Sequence, residues 1–305
     1  MKVTRREFLK WCGISGAAVS VSPAILPRFA EALEKALNGS PPVIWIQGAG
    51  CTGCSVSLLN AVSPDIQTLI TRIISLQFHP TVMVSAGETA LEQAEEMAER
   101  YRGQFFLVVE GAIPTGSNGA FCRIGEKKGR EVTMYEWTKF LAKKAKAVLA
   151  IGTCAAYGGI PAANPNPTGA KGVADLLKEA GIGALCVNIP GCPPHPDWMA
   201  GTIAHVLLYG LPKLDDLGRP VLFYGTPVHD HCPYRSYFDE ETFCKHFGET
   251  GCRYELGCKG PYASCDAWKR RWNNGANWCV DNAHCIACVE PNFWDEYAPF
   301  YELKE

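Results

Sequence analysis

The chain carries little excess charge of either sign and has no long apolar run. Its 29 Lys and Arg against 31 Asp and Glu leave a formal net charge of −2, which excludes the broad basic field of a nucleic-acid binder. The mildly apolar stretch 11–26 is too short for a comfortable membrane-spanning helix, and no other run approaches 18 residues. The chain closes on APFYELKE, not on a hydrophobic tail, so a soluble mature product is expected. Internal repeats and low-complexity tracts are also missing, which removes solenoids and arrays. At 305 residues with 47% hydrophobic and 20% charged residues, the composition is that of an ordinary globular protein of one large or two smaller domains.

What is abundant is cysteine. Fifteen are present, an odd number in a chain too large to be a small disulfide scaffold. A metal framework explains them better, and the spacing has to say which.

The first residues read as an address. Arg5 and Arg6 form a twin-arginine pair, followed by Phe8, Leu9 and Lys10 and then by a weakly apolar Gly/Ala/Ser stretch. This is the pattern of a Tat export signal, which implies export to the periplasm of an already folded protein. Ala30 and Ala32 offer a cleavage site, so residues 1–32 are expected to be removed. Folded export lets a cofactor be inserted before the cysteines meet an oxidising compartment.

Residues 43–47, 105–109, 147–151 and 184–189 are short buried runs that predict strands. Residues 88–101, 133–145 and 196–209 carry helical patterns between and after them, and 221–224 reads as one more short strand. Strand–helix alternation predicts an α/β domain with a mostly parallel sheet over residues 33–226. Beyond 227 the apolar periodicity stops, and Cys, Gly, Pro, Asn and Trp dominate. The segment 227–305 is expected to be an irregular domain held together by metal–thiolate bonds. It is also acidic: it holds 8 Lys and Arg against 13 Asp and Glu, a balance of −5, with the run FDEE at 238–241.

Cys51 and Cys54 form C-x-x-C directly after the first strand, and Cys154 and Cys192 follow two later ones. Loops that follow parallel strands gather at one edge of a sheet, so these four cysteines can converge. Gly50, Gly53, Gly152 and Gly191 stand beside them and allow close backbone approach. A phosphate loop is a poor fit, because GAGCTGC lacks the G-K-[ST] ending. A redox dithiol at Cys51/Cys54 or a four-cysteine zinc site remain alternatives.

HDHCP at 229–233 adds His229 and Cys232, with His231 as a second possible imidazole ligand. Cys252 and Cys258 follow in GCRYELGCKGP. One imidazole and three thiolates make a complete tetrahedral set. Cys265, Cys285 and Cys288 form the third group. Cys279 completes it to four thiolates and a cubane; without Cys279 it suits a three-iron cluster. Three groups of four use eleven cysteines and one histidine. Cys12, Cys122, Cys186 and Cys244 are left over, and Cys186 reads as a small hydrophobe in a strand.

In this order CTGCS, GTCAAYGGIPAA, NIPGCPPHPDW, HDHCP, GCRYELGCKGP and NWCVDNAHCIAC resemble the small subunit of periplasmic nickel–iron hydrogenases. The resemblance runs over the whole chain. It implies a flavodoxin-like domain followed by an iron–sulfur domain, and a heterodimer with a large subunit that carries the nickel–iron site. It implies a proximal [4Fe–4S] cluster on Cys51, Cys54, Cys154 and Cys192, and a medial cluster on Cys265, Cys285 and Cys288. It also implies a distal cluster on Cys232, Cys252 and Cys258, with His229 preferred over His231. Many relatives have proline at the position of Cys279 and a [3Fe–4S] medial cluster. A cysteine there resembles the nickel–iron–selenium branch, with three [4Fe–4S] clusters. Gly50 stands where many relatives have glutamate, so a role carried by that glutamate does not transfer. The implied activity is H2 oxidation and proton reduction, with electrons relayed to an external carrier such as a multihaem cytochrome c3. Rival expectations are the related NADH:quinone oxidoreductase subunit, a membrane-linked quinone-reducing hydrogenase, and a zinc-stabilised secreted binding protein.

Overall fold

The computed structural model describes residues 40–272 and 275–302. The twin-arginine segment, its alanine cleavage site and Cys12 lie outside the described residues.

Five parallel strands form the main sheet: β1 (Pro42–Gln47), β2 (Ser75–Phe78), β3 (Phe106–Glu110), β4 (Ala147–Ile151) and β5 (Cys186–Ile189), in the order β2-β1-β3-β4-β5. β3 and β4 are buried at every position, as strands covered on both faces must be. Their side chains alternate between two layers. Val43, Trp45, Val108, Leu149 and Ile189 face one core, while Ile44, Ile46, Val109 and Val148 face the other. Helices α1 (Gly53–Leu59), α2 (Gly87–Arg100), α3 (Met134–Ala142), α4 (Thr153–Tyr157) and α5 (Pro196–Tyr209) cover the sheet or cap its edge. α2 buries Ala90, Leu91, Ala94 and Ala98, a single stripe at helical spacing.

Two expectations fail locally. Val221–Tyr224 is a helical turn, not a strand. Pro220 starts it, and Phe223 and Tyr224 are buried, Tyr224 against Trp198. An apolar run of four cannot be assigned to strand or helix by periodicity alone. The edge strand β2 was not expected, because SLQF is only partly buried and of mixed polarity.

Past Pro227 the regular elements are turns of three to five residues. They build no separate core. Ala263, Cys265, Ala267, Cys285, Ala287 and Val289 join the layer made by one face of the sheet and α5. No helix among the described residues is long and apolar enough to cross a membrane.

The order of strands reverses between β1 and β3, the point at which the loops beyond the carboxyl ends of parallel strands diverge and ligands bind in such sheets. Loops after β1, β4 and β5 meet at that edge, so residues 51–54, 154 and 192 share it.

Candidate metal centres

The first group assembles as the sheet requires. The Cys54 thiol is pushed well up, first by burial, then by the neighbouring Glu110 carboxylate and by Cys154, Cys192 and Cys51. Cys154 is pushed up to about 12, first by burial and then by Cys192. Backbone clearance around the thiols is tight. A Cβ on Gly152, which has φ +87°, would stand 2.4 Å from Cys54 Sγ. One on Gly159, with φ +56°, would stand 2.6 Å from Cys154 Sγ. Of the other glycines singled out in the sequence, Gly53 borders Cys51 Sγ, whereas Gly50 faces Gly111 and Gly191 faces Pro194. Cys51 and Cys192 are exposed, so this group opens on one side to the surface.

The second group brings Cys279 to the other three. Cys279 and Cys288 both raise the Cys265 thiol, Cys258, Cys265 and Cys279 raise Cys285, and Cys279 raises Cys288, in each case after burial as the main cause; Cys279 itself is raised by burial and then by Cys258 of the third group. Asn277, which sequence reasoning passed over, sets this up. Its side-chain carbonyl accepts from Cys279 N at 3.1 Å, and its amide donates to the carbonyls of Ala267 and Trp268, each at 2.7 Å. The turn carrying Cys279 is thereby pinned to the turn after Cys265.

In the third group His229, Cys232, Cys252 and Cys258 line one cavity, together with Cys279 and Cys285 of the second group. His231 turns away and stacks on Trp268 at 5.2 Å. Burial and the nearby Arg235 hold His229 below the ordinary imidazole range, which favours the neutral, ligating form. Arg253 also lines the cavity. Its guanidinium donates to the carbonyls of Val280, Ala283 (2.6 Å) and Asp281 (3.1 Å), tying the third group to the second. It stands inside GCRYELGCKGP, a stretch that sequence reasoning used for its cysteines alone.

Five thiols receive the same local support. The backbone N–H two residues on donates to the sulfur of Cys258 and of Cys285, each at 3.4 Å. The backbone of Tyr234, Tyr254 and Ala267 acts in the same sense on Cys232, Cys252 and Cys265, offsetting part of the rise that burial causes. A neutral buried thiol has little need of such donors; an anionic sulfur is stabilised by them. Among the described residues, no three His, Cys, Asp or Glu side chains converge on a single ion. Soft donors in sets of four and repeated N–H support fit cubane clusters.

The three groups stand in a row. The Cys192 backbone and thiol act electrostatically on the Cys288 thiol, and Thr153, beside Cys154, donates to the Cys288 carbonyl. Lys259 N donates to the Cys285 carbonyl at 2.7 Å, and Cys258 acts electrostatically on Cys285. The first group thus touches the second, and the second touches the third.

The leftover cysteines have ordinary surroundings. Burial raises Cys122 and pushes Cys186 up to about 12. Cys244 is buried, donates to the Glu249 carbonyl at 3.4 Å, and pairs through its backbone with Cys252. Glu110, at the end of β3, was also unforeseen: it is 3% exposed and accepts from the Cys54 and Ser55 amides.

Comparison with known proteins agrees with this arrangement. The family described as NADH ubiquinone oxidoreductase, 20 Kd subunit, matches residues 51–206, and the C-terminal family of NiFe/NiFeSe hydrogenase small subunits matches residues 224–301. The periplasmic [NiFeSe] hydrogenase small subunit of Desulfomicrobium baculatum is 53% identical, over 99% of this chain and 99% of its own length. The periplasmic [NiFe] hydrogenase small subunit 1 of Nitratidesulfovibrio vulgaris is 43% identical, over 98% and 93%. A crystal structure of the reduced, active Ni-Fe-Se hydrogenase from D. baculatum superposes with a TM-score of 0.84 at 55% identity, covering 87% of this chain and all of that one. The second family match covers the part that the NADH:quinone oxidoreductase rival lacks. The chain therefore belongs to the family of nickel–iron and nickel–iron–selenium hydrogenase small subunits, which are parts of oxidoreductases acting on H2.

Proposed function

We propose that this chain relays electrons for a periplasmic hydrogenase, through proximal, medial and distal [4Fe–4S] sites, in the reaction H2 ⇌ 2H+ + 2e−. The observation that carries the reading is the pair of hydrogen bonds linking the groups in sequence, from the Thr153 hydroxyl beside Cys154 to the Cys288 carbonyl and from Lys259 N beside Cys258 to the Cys285 carbonyl. When bound, the clusters supply one-electron redox steps. The chain's own residues bind and separate them. Cys51, Cys54, Cys154 and Cys192 hold the proximal site; Cys265, Cys279, Cys285 and Cys288 the medial; His229, Cys232, Cys252 and Cys258 the distal. Asn277 and Arg253 hold the ligand turns in register, and the buried surroundings of Cys265 and Cys285 keep water out.

On this reading residues 33–226 form a flavodoxin-like domain, supported by the strand order, and 227–305 form the iron–sulfur domain. The large subunit with the nickel–iron or nickel–iron–selenium site would cover the open side of the proximal group. Cys51 and Cys192 are exposed there, and so are Val56 and Leu59 on α1. The twin-arginine segment supports Tat export, and relatives described as periplasmic support the location.

Cys279 decides the type of the medial cluster. Cys279→Pro is expected to leave three irons there and to raise the midpoint potential by on the order of 100 mV, within the range such clusters span. Redox titration followed by EPR checks this, and an unchanged four-iron signal in the variant would exclude Cys279 as a ligand.

The distal site lies among Asp230, Asp239, Glu240 and Glu241. Arg235 bridges Asp230 (3.6 Å) and Asp239 (2.8 Å), so Glu240 and Glu241, both exposed, supply most of the steering charge. A basic carrier of cytochrome c3 type suits this surface. Electron transfer to it should slow several-fold as ionic strength rises from about 0.01 to 0.1 M, where the Debye length falls to about 10 Å. A rate independent of salt would rule out steering.

A further inference from the structure

Glu110 lies behind the proximal site and is used by nothing described so far. It is 3% exposed and sits at the carboxyl end of the central strand β3. Oε1 accepts from Cys54 N and Ser55 N, each at 3.0 Å. These are first-turn amides of α1 that Thr52 does not cap. Oε2 accepts from Trp45 Nε1 at 3.0 Å, Gln47 Nε2 at 3.1 Å and the Ser55 hydroxyl.

Every one of these contacts is a donor, and the surrounding network fixes that direction. Thr81 N donates to His79 Nδ1 at 3.2 Å, so the ring proton is on Nε2 and points at Ser55 Oγ, 3.2 Å away. Gln47 Nε2 donates to the same Oγ at 3.0 Å. Both lone pairs of the Ser55 oxygen are therefore taken, and its own proton goes to Glu110. An acid proton on Glu110 would find no acceptor, whereas a carboxylate, which only accepts, satisfies all five donors.

We infer that Glu110 is a fixed negative charge that sets the reduction potential of the proximal cluster, acting through the amide and thiolate of Cys54. The inference rests on the four-iron reading of that site. The charge is one hydrogen bond from the Cys54 backbone, well within the distance at which one unit charge, at an effective dielectric of about 20, shifts an equilibrium tenfold. Reduction adds negative charge to the cluster, so a fixed negative neighbour disfavours it and keeps the potential low. Trp45, Gln47 and Ser55 moderate that charge and hold it in one place.

The test is redox titration of the purified two-subunit enzyme, read by EPR at each cluster. Glu110→Gln should raise the reduced-to-oxidised ratio of the proximal cluster about tenfold at a given ambient potential, equal to about 59 mV for a one-electron couple. The medial and distal midpoints should stay put. Glu110→Asp keeps the charge and should return within about threefold of wild type. Ser55→Ala removes a donor and leaves the charge less moderated. It should move the ratio the opposite way, by about threefold for one hydrogen bond, and it decides the matter if Glu110→Gln takes up no iron. A Glu110→Gln enzyme with wild-type proximal potential overturns the inference alone, as does an unmoved Ser55→Ala where that variant has to decide. A wild-type enzyme with no proximal four-iron signal overturns the underlying reading, and the inference with it.

Discussion

Stripping the iron from the purified protein, by oxidation in the presence of a chelator, should melt residues 227–302 while β1, β3 and β4 keep their amide protection. The segment's own elements are turns of three to five residues, too short to be stable alone. Its apolar contribution to the shared core is modest in size, mostly alanine and valine beside the cysteines. The free energy of metal binding therefore becomes folding free energy for this part of the chain. Without iron, Cys265 and Cys285 would remain as buried thiols whose ligand turns have nothing to close upon. The strands differ because β3 and β4 are buried at every position and their ladder involves no metal ligand. Hydrogen exchange with peptide resolution checks this. The account predicts loss of protection by orders of magnitude in 227–302, and retention of protection there would show that packing alone holds the segment.

Arg270→Ala should be the most damaging substitution outside the ligands. Arg270 is 7% exposed and Asp266 3%. The guanidinium donates to both Asp266 oxygens, at 2.7 and 2.6 Å, and to Asp197 at 2.8 Å. Trp198 Nε1 donates to Asp266 at 2.7 Å. Since Asp197 and Trp198 belong to α5 and Asp266 follows Cys265, this network fastens the medial ligand turn to the sheet domain. Removing the cation leaves Asp266 buried with only Trp198 and the exposed Lys269 as partners. Breaking a buried pair in this way costs about 3–5 kcal/mol, or a fall in melting temperature of roughly 10 °C for a domain of this size. Arg270→Lys should recover only part of it, because the two-pronged geometry is lost. Thermal unfolding of the variants is the measurement; a change below about 1 kcal/mol would mean that the network is not load-sharing.

Much of the sheet was legible because parallel strands buried on both faces leave unbroken apolar runs, as in FFLVV and AVLAI. The edge strand Ser75–Phe78 leaves no such run, since its side chains are only partly buried. VLFY at 221–224 shows the converse: a run of the right composition became a turn because Pro220 and the packing of Tyr224 on Trp198 decided it. Local spacing proposes the second and third cysteine groups, and that Cys51, Cys54, Cys154 and Cys192 would share one edge of the sheet was legible from the rule that loops after parallel strands meet. The residues that orient those cysteines were not. Glu110 reaches Trp45 and Ser55 from 65 and 55 positions away, and Arg253 reaches Val280 and Ala283 from 27 and 30. A single charged or amide side chain has no pattern in the sequence; only the fold shows what it meets. Local spacing does not separate His229 from His231, and the resemblance alone prefers His229; the structure adds that His231 stacks on Trp268 while His229 lines the cavity.

The most direct measurement is the iron and acid-labile sulfide content of the purified enzyme, apportioned to this subunit and paired with Mössbauer spectra of its clusters. Three cubes held by eleven thiolates and His229 predict about twelve irons and as many sulfides, all in four-iron centres. Zinc in their place, or a count near eleven with a three-iron signal despite Cys279, would contradict the account.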